Sequence, residues 1–286
     1  MKLEDLPRPI GYVLGGGGSR GALQVGMLQA LSEHEAAPDL VAGTSVGALN
    51  GALVALDPRG AANRLAHSWV RITKAQVFPG SVLSQIRTLE HSRTHLFPNT
   101  GLERVIGDFL GDELDFGDLA LPFGVVTTDT ALGRPHVIRN GALTTALLAS
   151  AAIPGIYPLV ERDGLHLCDG GVVANVPMQL ALTMGARSLI VLDCFPPGCP
   201  PGQQESFAEI LLLTAMVAMR AQASCEAKHI AEHVPVVYLP CSTSRLFSPL
   251  DFSYTEELIE SAYNSARPFL AALDVAGPGL YGLPQS

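Results

Sequence analysis

The sequence predicts an α/β protein, a three-layer α/β/α sandwich around a largely parallel central sheet. Short apolar runs such as residues 10–14 and 188–192 read as buried strands. Segments with helical patterning separate them, and strands that alternate with helices build a sheet covered on both faces. No stretch reads as a linker, so residues 1–286 are expected to form one domain, with residues 60–115 as a helical cap within it.

The run at 10–14 ends in four glycines, the pattern of a strand feeding a tight loop. A helix follows, with Val25, Leu28 and Leu31 on one face. Residues 40–42 read as the second strand and 43–47 as a turn. Residues 48–56 then form a buried Ala- and Leu-rich helix that stops near Asp57-Pro58. Residues 60–115 are amphipathic and helical, broken at Phe78-Pro79-Gly80 and Phe97-Pro98-Asn99. Strands at 123–128 and 136–138 flank the turn Leu132-Gly133-Arg134, a helix covers 143–150, and further strands fall at 188–192 and 236–239. The apolar stretch 210–219 is too short for a bilayer, which takes about 20 residues. It is expected to be a buried helix, ahead of the alternative of a wall for an acyl chain.

The chain is long and apolar enough, at 286 residues and 48% hydrophobic, to bury a substantial core. Its net charge of −9 argues against nucleic acid as a partner and against electrostatic docking on anionic lipid. Acidic residues and Pro occupy the N-terminus where a secretion signal needs an apolar core, so no signal is expected. The five cysteines are odd in number and include no CxxC pair. Neither a disulfide framework nor a zinc site is expected, and a reducing cytoplasm fits. The pairs His91/His95 and His229/His233 bracket no metalloprotease Glu and read as solvated helix faces, so no metal or cofactor is expected.

Two glycine-centred turns carry the chemistry. Gly15-Gly16-Gly17-Gly18-Ser19-Arg20-Gly21 lies between a strand and a helix. Glycines let several backbone N–H groups converge there, and a helix N-terminus adds positive charge, which suits a phosphate or an acyl-transfer oxyanion. Gly43-Thr44-Ser45-Val46-Gly47 has the GxSxG form of a nucleophile elbow. Chance alone supplies about 0.2 such matches in a chain of this composition, and 17–21 is a second one, so position must arbitrate. The glycine run before Ser19 suits a donor loop, and the buried helix behind Ser45 suits a nucleophile. Alone, each serine also reads as a plain turn residue. A third turn, Cys168-Asp169-Gly170-Gly171, places an Asp in a tight loop, where it reads as either a turn-former or a base. His166 lies three residues earlier without a paired signature.

In this order, Gly-Gly-Gly-Ser-Arg-Gly (16–21), Gly-Thr-Ser-Val-Gly (43–47) and Asp-Gly-Gly (169–171) resemble the three motifs of patatin-like phospholipases. The block Ala149-Ser150-Ala151-Ala152-Ile153-Pro154 with Tyr157-Pro158 looks like the stretch before that family's Asp. Asp251-Phe252 with Glu256-Glu257-Leu258-Ile259 looks like the tail of its bacterial members. The resemblance covers roughly residues 8–272. It implies Ser45 as nucleophile, Asp169 as general base, and Gly16, Gly17 and Gly18 as oxyanion donors. Arg20 stands at the family's basic position, either binding substrate or structuring the loop. The implied substrate is a lipid or fatty-acyl ester, cleaved without metal. From the cysteine content and the charge, the protein is expected to be cytoplasmic and to meet a membrane or micelle transiently.

Three rivals remain at this level. Gly16, Gly18 and Gly21 also fit a dinucleotide fingerprint, but Asp39 precedes the second strand instead of ending it. An ordinary α/β-hydrolase would need more strands before Ser45. A lipid-binding protein without turnover would keep the fold and the motifs.

Overall fold

The computed structural model describes residues 2–111, 114–195, 207–241 and 248–282; Cys199 and residues 112–113 of the expected cap lie outside them. The chain runs β1 (Ile10–Leu14), α1 (Ala22–Leu31), β2 (Leu40–Thr44), α2 (Val46–Leu56), α3 (Ala61–Trp69), α4 (Lys74–Val77), α5 (Val82–Ser92) and α6 (Thr100–Leu110). It continues through β3 (Phe123–Asp129), β4 (Arg134–Ile138), α7 (Leu143–Ser150), β5 (Val160–Arg162), β6 (Leu165–Asp169), α8 (Gly171–Ala174), α9 (Met178–Thr183) and β7 (Ser188–Leu192). The last elements are α10 (Phe207–Ala231), β8 (Pro235–Tyr238), α11 (Thr255–Ala272) and β9 (Gly279–Tyr281).

Hydrogen-bonded neighbours in the single sheet run β5-β6-β3-β2-β1-β7-β8-β9, with β4 also paired to β3. The pairs from β3 through β2, β1, β7 and β8 to β9 are parallel, and β4, β5 and β6 form the antiparallel end. Every residue of β1, β2, β3, β7 and β8 is buried. The reason is visible in the side-chain alternation. Tyr12, Leu14, Val41, Ile190 and Val237 point into one core with α1, α2, α3, α6, α7 and α11. Val13, Ala42, Val191 and Val236 point into the other with α9 and the later half of α10. Two covered faces make the predicted three layers.

Strand β3 uses its two edges differently. Val126 and Thr127 pair with Val137 and His136 of β4 along one edge. On the other, Val126 faces Thr44 at the end of β2, and Thr127 faces Asp169 at the end of β6. Because β2 runs parallel to β3 and β6 antiparallel, the two strands approach head to head, and their last residues meet there.

Two sequence expectations change. The helix expected over 210–219 exists within α10, but most of its described side chains are not buried. Ile210 and Val217 are about half exposed (51% and 54%), and Met216 is the buried residue among 214–219. The core contacts of α10 come further on, at Ala223, Ala227 and Ile230. Asp169 ends a strand and does not sit in a free loop. The β5–β6 hairpin that delivers it turns at Asp163 and Gly164, with φ of 52° and 76°.

Candidate active site

Ser45 occupies the junction of β2 and α2, with φ 54° and ψ −126°, a conformation that non-glycine residues rarely adopt. Close packing enforces it: a Cβ on Gly47 would stand 2.2 Å from the Leu14 carbonyl oxygen. The Ser45 N–H donates to Ser150 Oγ at 2.8 Å, and that hydroxyl donates to the Val126 carbonyl at 2.6 Å. Ser150 thus ties the elbow to β3, a role its sequence context did not reveal.

Asp169 comes to Ser45 through the shared edge of β3. Ser45 Oγ donates to Asp169 Oδ2 at 2.6 Å, and the Gly171 N–H donates to Oδ1 at 2.7 Å. Burial pushes the Asp169 carboxyl up to about 6, against the pull of those two hydrogen bonds. It is therefore ionised at neutral pH, yet a far better proton acceptor than an exposed Asp. Among the described residues no histidine hydrogen-bonds to either group, and His166 is exposed on β6.

The glycine loop lies against this pair. An added Cβ on Gly16 would sit 3.2 Å from Ser45 Cβ. The Gly15 N–H is spent on the Leu192 carbonyl (3.1 Å) and that of Gly16 on the Asn175 carbonyl (3.0 Å). Among the described residues no acceptor faces the Gly17 or Gly18 N–H. Gly18 has φ +60° and passes so close to Pro249 that a Cβ would be 2.3 Å from its carbonyl oxygen.

A buried relay of amides holds the loop from beneath. Trp69 Nε1 donates to Asn50 Oδ1 (2.9 Å), Asn50 Nδ2 to Gln24 Oε1 (2.8 Å), and Gln24 Nε2 to the carbonyls of Gly15 (2.8 Å) and Leu192 (3.0 Å). None of the three was singled out in the sequence, where lone amides carry no spacing signal. Arg20 is buried, with its guanidinium 3.8 Å from the centre of the Phe195 ring and Nε 3.5 Å from the Gly17 carbonyl. Its charge helps restrain Asp193, a buried carboxyl that burial raises to about 6 and to which Tyr238 donates a hydrogen bond. Ser19, the rival serine, points away: its Oγ donates to the Ser248 carbonyl at 3.0 Å.

Ser45 and Gly18 open onto a pocket of about 650 Å³, its mouth included. Trp69, Ile72, Val77 and Phe78 form one wall together with Leu102 and Ile106, all from the 60–115 segment. Leu147, Ile153, Tyr157, Leu250 and Phe252 complete it. Phe78 stacks on Tyr157 and leans on Phe97 and Phe252, and the Tyr157 hydroxyl donates to the Val77 carbonyl at 2.7 Å. An apolar pocket with a few convergent polar groups at one end fits a ligand with a long hydrocarbon part and one polar centre. Arg20 does not line it. Among the described residues no group of three or more His, Cys, Asp or Glu could hold a metal, and no helix is long and apolar enough to cross a membrane.

Comparison with known proteins matches residues 12–182 to the family described as patatin-like phospholipase. Over 189 residues the chain is 36% identical to patatin-like phospholipase domain-containing protein 7 of Rattus norvegicus, covering 64% of this chain and 13% of that protein. Over 193 residues it is 32% identical to the lysophospholipase NTE1 of Mycosarcoma maydis, covering 64% and 10%. The chain therefore matches only a small part of these relatives' length. In three dimensions it resembles VipD from Legionella pneumophila, with a TM-score of 0.50 at 15% identity over 93% of this chain and 67% of that one.

Proposed function

The chain belongs to the patatin-like phospholipase family, and from that premise we propose that it is a serine acyl-ester hydrolase working through a Ser45–Asp169 dyad. The hydrogen bond from Ser45 Oγ to Asp169 Oδ2, placed at the end of an apolar pocket, carries this reading. Ser45 Oγ attacks the ester carbonyl carbon while Asp169 takes its proton. The carbonyl oxygen becomes an oxyanion held by the Gly17 and Gly18 N–H groups. The Gly16 N–H, already bound to Asn175, is left to fix the loop. Collapse returns the proton to the departing alcohol and leaves an acyl-serine. Water, deprotonated by Asp169, then releases the fatty acid and regenerates Ser45. Arg20 acts as a positioning residue beneath the loop.

Substrates are fatty-acyl esters of membrane or micellar lipids, with the acyl chain in the pocket. The direct test is a chain-length series of p-nitrophenyl esters beside a phospholipid and lysophospholipid panel; absence of turnover on every member would overturn the proposal. Narrowing the pocket with Ile153→Trp lowers kcat/KM for long-chain esters about tenfold relative to the butyrate, since each excluded methylene is worth about 0.8 kcal/mol. An equal effect on all chain lengths would place the acyl group elsewhere.

The donor loop has its own test. A Cβ on Gly17 would lie 2.3 Å from Cys194 Cβ, so Gly17→Ala must displace the loop. Loss of a donor typically costs about 10²–10³ in rate, and that loss is expected here with circular dichroism unchanged. Cys194→Gly in the same chain clears the obstruction and restores most of the rate. A double variant as slow as Gly17→Ala would count against the loop's position as the cause.

A further inference from the structure

We infer that the outer face of residues 70–93 is a docking surface for an anionic lipid bilayer. The inference rests on reading the pocket as an acyl-chain site, and three observations converge on it.

The first is α5. None of its described side chains is buried, and among the described residues no other helix or strand makes extended contact with it. Yet Leu83, Ile86 and Leu89 are exposed on it, Leu83 at 70%. Spacings of three residues keep them within about a third of the helix circumference. Val70, on the segment before α4, is also exposed. A water-facing apolar stripe is what an interfacial helix lays into the headgroup boundary.

The second is local charge. Residues 59–95 carry six of the chain's 18 Lys and Arg but one of its 27 Asp and Glu, a net +5 in a chain of −9. All six basic side chains are exposed. Arg64 pairs with Asp57, while no ion pair among the described residues engages Arg71, Lys74, Arg87 or Arg93. Arg87 stands one turn from Leu83 on the same side of α5; Glu90 is the single acid in the stretch. Charges further than about 8 Å are screened at physiological salt, so a bilayer responds to this face and not to the whole-chain total. The proposal therefore departs from the expectation drawn from −9.

The third is continuity with the pocket. Trp69 and Ile72 line it and flank Val70 and Arg71, and only three residues separate Phe78 in its wall from the start of α5. A bilayer seated on α5 would lie beside the wall that receives the acyl chain. A second copy fits less well, since a twofold pairing of this face would set its basic residues against each other.

Sedimentation with vesicles tests the assignment. The protein should bind vesicles of phosphatidylcholine mixed with phosphatidylglycerol, more weakly as salt rises, and bind pure phosphatidylcholine much less. Each basic residue near such a surface contributes about fivefold in affinity. The triple variant Arg71→Glu/Lys74→Glu/Arg87→Glu should therefore lose at least about 100-fold. Leu83→Ser/Ile86→Ser/Leu89→Ser should also detach. Both variants should keep wild-type turnover of soluble p-nitrophenyl butyrate, since none of these residues lines the pocket. Undiminished binding by either variant, or no preference for the anionic vesicles, overturns the inference. So does a lipid-free dimer that the leucine variant dissociates. Wild-type binding without turnover of any ester would sink the proposed hydrolase and leave the docking face standing.

Discussion

Asp169→Asn yields a folded protein whose ester turnover is lower by about 10²–10⁴, the usual worth of a placed general base. Asn keeps the size of Asp and can still accept a hydrogen bond from Ser45 Oγ, but it cannot take the proton. In the wild type, burial lifts the carboxyl to about 6. Since the ionised form is the base, kcat/KM should fall as pH drops through about 6, and this limb should vanish in the residual rate of the variant. Stability runs the other way. A carboxyl raised from 3.8 to about 6 holds its proton more tightly folded than unfolded. Its contribution is present below pH 4 and is lost as pH rises through 6. At neutral pH the Asn variant, free of that buried charge, should melt no lower than wild type. The eight histidines, changed singly to Gln, should each leave the rate within a few-fold. His166→Gln is the decisive one, being nearest Asp169 in sequence. A folded His166→Gln protein as slow as Asp169→Asn would put a Ser-His-Asp mechanism in place of the dyad.

Ser45→Ala should abolish covalent labelling by a fluorophosphonate probe, with turnover falling to background. The probe reports a serine whose hydroxyl is both hydrogen-bonded to a neighbouring proton acceptor and open to the pocket. Ser45 meets both conditions. Ser19 meets neither: its hydroxyl is committed to the Ser248 carbonyl, and the residue is absent from the pocket wall. Ser19→Ala should therefore label normally, with at most a modest slowing through the loop. Retention of the label by Ser45→Ala and its loss from Ser19→Ala would reverse the assignment.

The parts legible in the sequence were those whose cause is local. β1, α7 and β7 have the bounds their apolar runs suggest, and the breaks near Pro79 and Pro98 separate the helices that were expected to break there. The glycine turns were legible because backbone crowding at Gly47 or Gly18 admits no Cβ. The hairpin that carries Asp169 was missed, although Asp163-Gly164 between two short strands is a strong turn signal. With only three and five residues in β5 and β6, the apolar pattern was too short to register. Contacts made across the fold left no trace of spacing: Ser150 under the elbow, the Trp69-Asn50-Gln24 relay under the loop. The misreading of 210–219 has a related cause, since an apolar helical run does not say whether anything covers it. The docking proposal departs from net charge for a similar reason, because a total averages over faces that a partner meets one at a time.

Under the proposed dyad, the head-to-head meeting of β2 and β6 on one edge of β3 also makes chemical competence a late event in the life of the chain. Ser45 and Asp169 are 124 residues apart and neither can reach the other until β3 has recruited both strands. Such non-local pairings form slowly because the intervening chain must first be closed. During refolding, helical ellipticity should recover before the capacity to react with a fluorophosphonate, and the lag between them would time the docking of β6. Under the same proposal, partly folded chains would be unable to cleave esters until the antiparallel strands have joined the sheet.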